Sequence, residues 1–385
     1  MDGVGRIAQW GLQTALPFWA EHGWDDVHGG FRESVALDGS AIAGERRRVR
    51  VQARQIYVYA RAHHEGWFDG LALAEEAAVL LRERAWQVDG APGWVHQLAE
   101  TGEVASPVRD LYDHAFILLA LAWLGRASGD ASWFALADET LAFLDIELAD
   151  PAGGYRESIA GPQWPRRQNP HMHLFEALMA LHEASGSAQA LAGVHAIKDL
   201  FDRVFYDPKT AMVHEFFNAD WRPATGDLGA VIEPGHLCEW VWLLHEYQRI
   251  AGGALDPAAI ALFDTAMRVG INPQTGLLNA AINPSGEALD ASSRTWMQTE
   301  WLRAALLLYR SGHPDTGAAV ERAGAALLDY HLGNIVAGGW IDQFDDIGQP
   351  RSVRMPASTL YHAFGGIAEC VRDMPVVVGA SGGAQ

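Results

Sequence analysis

The sequence predicts an all-α protein, an (α/α)6 barrel of six helical hairpins with short β-hairpin-like loops at one end. Two observations predict this fold: a turn motif that recurs at a nearly fixed interval, and pairs of helical segments between its copies. A third observation, polar residues at matching points of the repeat, indicates that the hairpins close into a ring. We expect residues 1–375 to form this barrel as a single domain and residues 376–385 to be a disordered tail.

The turn motif contains glycine followed by an aromatic residue. Its clearest copies are "GGFRES" at 29–34, "PGWVHQ" at 92–97, "GGYRES" at 153–158 and "GGWIDQ" at 338–343. Gly30, Gly93 and Gly154 follow one another at 63 and 61 residues. A degenerate copy, "TAMVHEF", near position 211 and "TGLLNA" at 275–280 complete six slots of about 62 residues. Alternating apolar and polar residues predict a short strand at each slot.

Helical segments fill the intervals between these turns. Apolar residues recur at helical spacing in 71–86, 133–149, 190–205 and 316–332. Alanine and leucine, which are good helix formers, are abundant in them. We therefore expect about twelve helices, two in each repeat. An open α-solenoid would stack the same repeats without closing, but six hairpins with clustered polar residues favour a ring.

Composition excludes several classes of protein. Lysine and arginine number 28 against 48 acidic residues, a formal net charge of −20, so neither a nucleic acid nor an anionic membrane is expected as a partner. No stretch approaches the ~18 apolar residues of a membrane span, and the start lacks a signal-peptide pattern. The two cysteines, Cys238 and Cys370, form no CxxC pair, which favours a reducing compartment and a cytoplasmic location.

Polar or aromatic residues recur near the start of the second helix of each predicted hairpin. The six positions are Arg54, Tyr112, His173, His236, Trp296 and His362, with Glu239 and Glu300 about one turn further along the fourth and fifth helices. Successive positions are 58, 61, 63, 60 and 66 residues apart. Unrelated core histidines would have no reason to keep that period. In a closed ring these side chains meet at one end of the barrel, where we expect the functional site.

The segment "NPHMHLFEAL" at 169–178 places two histidines close together. Asn169 and Pro170 are a good N-cap and first-turn pair, so a helix should begin here. Residues two apart on a helix point about 200° away from each other, so His171 and His173 cannot both bind one metal ion from the helix. Zinc needs three or four convergent ligands, and the sequence has no HExxH motif, so no metal is predicted.

Two His–Glu pairs instead suit proton transfer. His173 and Glu176, like His236 and Glu239, are three residues apart and share a helix face. A carboxylate beside an imidazole sets its tautomer and its basicity. A partly buried, hydrogen-bonded histidine is the alternative interpretation for any one of them.

Aromatic content favours a sugar-sized ligand. The chain has 15 tryptophans, and Trp296 and Trp340 lie in or beside the repeat-end loops. Aromatic rings stack on the apolar faces of pyranoses, while arginine, asparagine and glutamate hydrogen-bond the hydroxyl groups. Packing in the core is the alternative role for each tryptophan.

Five ordered motifs resemble the N-acylglucosamine 2-epimerase superfamily, and most closely its bacterial D-mannose isomerase branch. They are "RVQARQIYVYA", "NPHMHLFEAL", "GHLCEWVWLL", "WMQTEW" and "STLYHAFGGIAE". The similarity covers nearly the whole chain, from "FWAEHGWDDVHGGF" to His362. The resemblance implies an (α/α)6 barrel and a reversible, cofactor-independent aldose–ketose isomerisation or C2 epimerisation through an enediolate.

The resemblance also implies residue roles. His236 and His362 are the two acid/base histidines, and Glu239 supports His236. Arg54 holds and polarises the O1/O2 side of the opened sugar, while His173 serves ring opening or substrate orientation. Among the residues expected to bind the substrate, the resemblance implies Tyr112, Asn169, Trp296 and Glu300. The His–Glu spacing and the aromatic content add Glu176 and Trp340.

Two departures from the family concern the substrate. Disaccharide epimerases carry a paired tryptophan before a "QAE" motif and another shortly before the last histidine, where this chain has Thr295-Trp296 and Ala357. A monosaccharide is therefore favoured, D-mannose with D-fructose as product, or D-lyxose with D-xylulose. A histidine on one face of the enediolate makes the ketose, and one on the other face makes the epimer.

Other functions stay open at this stage. A 2-epimerase of N-acylglucosamine, glucose or mannose fits the same residues. A sugar-phosphate isomerase would use arginines at 46–48, 166–167 or 351–354, for which solvated surface charge is the alternative. An (α/α)6 glycoside hydrolase would use Glu239 and Glu300 as its carboxylates. No cofactor is predicted, and a homo-oligomer is left open.

Overall fold

The computed structural model describes residues 2–333 and 335–372, which form twelve long helices and a set of short strands. The predicted disordered tail, 376–385, lies outside the described residues. Six heavily buried helices, which we call the inner helices, are Val49–His64, Leu111–Ser128, Gln168–Ser185, Pro234–Ala251, Thr295–Arg310 and Thr359–Arg372. The more exposed outer helices are Asp2–Trp10 with Leu16–His22, Leu71–Ala85, Ala131–Phe143, Ala188–Leu200, Pro257–Val269 and Thr316–Ala326. Both sets are numbered first to sixth in chain order.

The inner helices form a closed ring. Each packs against the next, and the sixth packs against the first. Each outer helix after the first packs on the inner helix before it, and the first outer helix packs on the sixth inner helix. This arrangement confirms the predicted (α/α)6 barrel, and the open solenoid is wrong. Along residues 2–333 and 335–372, no helix has the length and apolar composition needed to cross a membrane.

Local sequence explains where the helices begin and end. The Asp110 side chain accepts hydrogen bonds from the backbone of Tyr112 and Asp113 and so caps the second inner helix. The second and third inner helices stop at Gly129 and Gly186, which adopt the left-handed conformation that glycine permits. Segments of π-helix extend or interrupt the outer helices at Gly11–Ala15, Leu144–Leu148, Phe201–Phe205 and Leu327–His331.

Short antiparallel strands link neighbouring repeats at the N-terminal end of the inner helices. The pairs that join adjacent repeats are Arg47–Arg48 with Gln97–Leu98, Arg109–Asp110 with Ser158–Ile159, Arg166–Arg167 with Phe216–Phe217, and Ser293–Arg294 with Gln343–Phe344. Ser34–Ala36 pairs with Arg354–Pro356 and joins the first repeat to the last. The remaining strands are Val104–Ser106, Tyr206–Asp207, Met212–Val213, Ala281–Ile282 and Ala288–Asp290, and a short helix spans Gly226–Gly229. In each pair one strand leads into an inner helix and the other comes from a neighbouring repeat, so the pairing positions the start of that helix.

A buried side chain on four inner helices holds the recurring turn. Each accepts a hydrogen bond from a backbone N–H of the turn: Gln52 from Phe31, His114 from Trp94, His171 from Tyr155, and Gln298 from Leu278. In the third repeat, Nδ1 of His171 lies 3.0 Å from the Arg167 carbonyl oxygen, so Nε2 is the accepting nitrogen. Burial lowers the pKa of His171 to about 3. His171 therefore anchors the turn.

The glycine of the same turn is required by this close approach. Gly154 has a φ of 66°, and a Cβ at this position would lie 2.8 Å from Nε2 of His171. Only glycine combines the left-handed backbone with that contact. The glycine of the turn and His171, the first histidine of "NPHMH", are thus explained by the same close contact.

Candidate active site

The N-terminal ends of the inner helices enclose a cavity of about 480 Å³. Seven of the predicted site residues line it: Arg54, Tyr112, Asn169, His173, His236, Trp296 and His362. Glu239 and Glu300 lie behind this cavity and are almost fully buried. Glu176, predicted to bind substrate, instead borders a smaller cavity of about 270 Å³ that lies further along the inner helices. Each of these three glutamates lies three or four residues, about one helical turn, beyond the cavity-lining residue of its own helix, which places it deeper in the barrel.

Trp340 is the clearest correction. It was predicted to bind substrate, but it is fully buried and stacks on Trp19 with ring centroids 4.5 Å apart. The large apolar surface of the indole is buried by packing against the first outer helix. Trp296 does line the cavity, where its ring lies 5.1 Å from that of His236 and 5.4 Å from that of His362.

His362 is a neutral imidazole in this environment. Its Nδ1 lies 2.8 Å from an oxygen of Glu300, which also accepts from Arg303. Burial, together with the positive charges of Arg54 and Arg303, lowers the pKa of His362 well below its usual value. With Nδ1 donating to Glu300, Nε2 keeps a lone pair that can accept a proton.

His236 has the opposite environment. Burial alone would lower its pKa, but the negative charges of Glu215 and Glu233, and more weakly Glu239, raise it well above the usual value. Its Nδ1 lies 2.9 Å from an oxygen of Glu215 and 3.6 Å from an oxygen of Glu233. The two histidines of one cavity are therefore held in different protonation states.

The hydrogen-bond partner of His236 is Glu215 and not Glu239, which is a correction. Glu239, implied by the resemblance to support His236, has one oxygen 3.8 Å from Nδ1 of His173 and another without a hydrogen-bond partner. Glu215 was not among the predicted residues, although the repeat contains a signal for it. In "TAMVHEF" it takes the place of Glu33 in "GGFRES" and Glu157 in "GGYRES". Those two glutamates accept the backbone N–H of the last strand residue before an inner helix.

A buried charge network lies behind the cavity. Arg303 bonds Glu300 and lies 3.7 Å from Glu176, which accepts the hydroxyl of Tyr361. Burial and the charge of Glu300 raise the pKa of Glu239 well above its usual value. Burial lowers the pKa of His173 to about 3. His173 is therefore a neutral group on the cavity wall.

Arg54 brings a guanidinium into the same cavity. It donates to the hydroxyl of Tyr112 at 3.0 Å and to the carbonyl of Ser358 at 3.2 Å. Its guanidinium carbon lies 4.1 Å from the ring centroid of Phe116, and its Nε is buried without a partner. These contacts fix a planar cation beside the two histidines.

Three further arginines line the mouth of the cavity. Each is paired with a carboxylate: Arg48 with Glu33, Arg50 with Asp113, and Arg294 with Asp342. Glu233 and Asp290 are the acidic side chains on the same wall. The mouth is thus more basic than a chain of net charge −20 would suggest.

Three groups of side chains in the described ranges are close enough to hold a metal ion. They are Asp25, His28 and Glu100; Glu215, Glu233 and His236; and Glu239, Glu300 and His362, each with ligand atoms within 4.8 Å of one another. In the last two groups, Glu215–His236 at 2.9 Å and Glu300–His362 at 2.8 Å are hydrogen-bond distances, with a proton between the two atoms. The absence of a metal requirement stays a prediction.

Comparison with known proteins places this arrangement in a family. The N-acylglucosamine 2-epimerase (GlcNAc 2-epimerase) family profile matches residues 29–366. The chain belongs to this family. A mannose-6-phosphate isomerase of Rhizobium meliloti (strain 1021) is 34% identical, over 96% of this chain and 98% of the relative. A cellobiose 2-epimerase of Bacteroides fragilis is 24% identical, over 84% of this chain and 86% of the relative.

A solved structure in the same family has the same fold. A D-mannose isomerase crystal structure superposes with a TM-score of 0.85 at 22% identity, covering 96% of this chain and 98% of that one. Family membership and the cavity together make this chain a sugar isomerase or epimerase.

Proposed function

We propose that this chain is a cofactor-independent aldose–ketose isomerase that interconverts D-mannose and D-fructose through a cis-enediolate. One observation carries the proposal: two histidines line one cavity, and their surroundings shift their pKa values in opposite directions. A pair of titratable groups held in different protonation states at one pH supplies both a base and an acid.

His362 is the base in this scheme. Neutral His362 removes the proton from C2 of the opened sugar, and negative charge develops on the C1 carbonyl oxygen. Arg54 supplies N–H donors to that oxygen, with Tyr112 beside it. The same imidazole returns the proton to C1 on the same face, while the hydroxyl proton of O2 passes to O1. The product is the ketose.

His236 is the acid. Opening a pyranose requires a proton on the ring oxygen, and His236 is the histidine that its carboxylate neighbours keep protonated. After His236 takes up the proton released from the anomeric hydroxyl, delivery of that proton to C2 from the opposite face would give the epimer. The proposal therefore assigns isomerisation to His362, and ring opening with minor epimerisation to His236.

A monosaccharide fits the wall of the cavity better than a disaccharide. Thr295, in the place of the first tryptophan of the disaccharide epimerases, is fully buried and hydrogen-bonded to His331. Ala357, in the place of the other tryptophan, has a methyl side chain and is 1% exposed. Neither position can stack on a second sugar ring, which leaves Trp296 as the aromatic surface beside both histidines.

A phosphorylated sugar is the second candidate substrate. Arg48, Arg50 and Arg294 at the cavity mouth are the observation that favours it, since guanidinium groups suit phosphate oxygens. The Rhizobium relative is named for mannose 6-phosphate. Because each arginine already has a carboxylate partner, we keep the free sugar as the first proposal.

One NMR experiment separates these possibilities. Purified protein is incubated in D2O with D-mannose or D-mannose 6-phosphate, with and without EDTA. We expect D-fructose labelled with deuterium at C1, glucose as a minor product, and no effect of EDTA. Glucose as the main product would identify an epimerase, and faster turnover of the phosphate would identify the second candidate. Loss of activity on chelation, restored by zinc, would contradict the cofactor-independent mechanism.

A further inference from the structure

The position of Glu215 is set by main-chain contacts. It is 3% exposed and stands between the strands Met212–Val213 and Phe216–Phe217. Its backbone carbonyl accepts the N–H of Gln168, at the start of the third inner helix. The following strand pairs with Arg166–Arg167. Main-chain hydrogen bonds therefore hold Glu215 against the start of the third inner helix.

The direction of the hydrogen bonds at Glu215 is determined by a tryptophan. The indole N–H of Trp240 can only donate, and it donates to Oε1 of Gln168 at 2.9 Å. The amide nitrogen of Gln168 must then point the other way, where it donates to Oε2 of Glu215 at 2.9 Å. The carboxylate of Glu215 accepts on both oxygens, so Nδ1 of His236, 2.9 Å from Oε1, is the donor there. The 3.2 Å approach of the Gln168 amide nitrogen to Nδ1 is then a contact between two donors.

The other imidazole nitrogen faces Asn169. The side-chain nitrogen of Asn169 lies 3.1 Å from Nε2 of His236, and Oδ1 of Asn169 is buried without a partner. Rotating this amide by half a turn gives Oδ1 a donor in an Nε2–H, and oxygen and nitrogen of an amide are assigned from such networks. Both His236 nitrogens then carry protons, and each faces an acceptor.

We propose that Glu215 is the positioning residue of His236: its carboxylate fixes a proton on Nδ1 and directs Nε2–H into the cavity. The inference rests on the proposed function and names the group that makes His236 an acid. The other charged groups facing His236 are Glu233, on the cavity wall, and Glu239, deeper on the same helix. Of these three carboxylates, Glu215 makes the shortest contact.

The test reads His236 directly in the full-length protein without substrate. Histidine is labelled with ¹⁵N, and the His236 signal is assigned by its loss in His236→Asn. In the wild type we expect both ring nitrogens to be protonated at pH 7. In Glu215→Gln the pKa of His236 should fall by roughly one to three pKa units, the range for losing an adjacent opposite charge. Glu239→Gln is the matched control and should lower it less, and Glu215→Asp should restore part of the shift.

Activity gives a second readout. The pH at which kcat/KM on D-mannose falls on the alkaline side should be lower in Glu215→Gln by the same number of units as the pKa of His236. The value of kcat should fall by about 10²-fold, as for loss of an acid catalyst. A neutral His236 with its proton on Nε2 in the wild type overturns the inference even if the variant does not fold. A larger pKa change in Glu239→Gln than in Glu215→Gln does so as well. If the pKa falls as expected but no sugar is converted, the inference about Glu215 stands and the proposed function fails.

Discussion

At the scale of single residues, His362 and His236 show how the same type of side chain takes two different roles. Both are buried, and burial disfavours the imidazolium at each. Arg54 and Arg303 add positive charge beside His362, whereas carboxylates surround His236. The balance of charge, rather than burial, therefore decides which histidine accepts a proton and which one donates it.

The pH profile of kcat/KM should show this division. Because the pKa of His362 is lowered, the base is neutral at all pH values above that lowered pKa, and activity is lost only in acid. Because the pKa of His236 is raised, the acid is lost only as the pH rises above that value. We expect a broad optimum spanning the ordinary histidine pKa of about 6.5. A narrow bell centred there, measured with D-mannose, would show that the two pKa values are not separated.

Removal of the base is the sharpest test of the residue roles. His362→Asn should abolish both mannose–fructose conversion and exchange of the C2 proton in D2O, with a loss of about 10²–10⁴-fold. His236→Asn should slow conversion of the closed sugar more than exchange at C1 of added fructose, because ring opening is its task. ¹H NMR in D2O measures both. Exchange at C2 near the wild-type rate in His362→Asn would show that the assignment is wrong.

At the scale of single elements, the start of the fourth inner helix is shaped to receive the fifth. Gly235 follows Pro234 in the first turn, and a Cβ at Gly235 would lie 2.7 Å from the ring of Trp296. That ring contacts both histidines. A glycine in a helix is destabilising compared with alanine, so its presence here is explained by the space it leaves for Trp296.

Gly235→Ala should therefore leave the fold intact but displace Trp296. We expect kcat/KM on D-mannose to fall by about 10-fold or more, since a misplaced group near the chemistry costs rate steeply. Circular dichroism should be unchanged, and tryptophan fluorescence should shift.

Gly317→Ala is the matched control. This glycine lies in the sixth outer helix, and its nearest neighbour to an added Cβ, the Tyr309 ring, is at 3.5 Å. Activity should be unchanged, with stability raised by up to about 1 kcal/mol. Equal activity in Gly235→Ala and Gly317→Ala would show that the position of Trp296 does not affect catalysis.

At the scale of the whole molecule, the barrel is closed by residues far apart in the chain. Val35 and Met355 are partners in the strand pair that joins the first and last repeats, and both are fully buried. Gly339 leaves space for this packing, since a Cβ there would lie 2.5 Å from the Met355 sulfur. The seam is thus buried and closely packed.

Met355→Ala should lower the free energy of unfolding by about 2–5 kcal/mol, the usual cost of a cavity left by a buried large side chain. Val353→Ala, two residues away and 81% exposed, should change it by less than about 0.5 kcal/mol. Urea denaturation followed by circular dichroism measures both. Equal losses would show that the seam does not contribute to stability.

The sequence by itself determined the repeat, the helices and the ring, since helical periodicity and turn glycines are local signals. It also indicated which residues meet at one end, because equivalent positions of a closed ring converge. Only the tertiary structure decided the partner of each histidine. Glu215 reaches His236 because a strand pair between neighbouring repeats brings it to the start of the third inner helix. Glu239 shares a helix face with His236, but one helical turn carries its carboxyl group deeper, to His173.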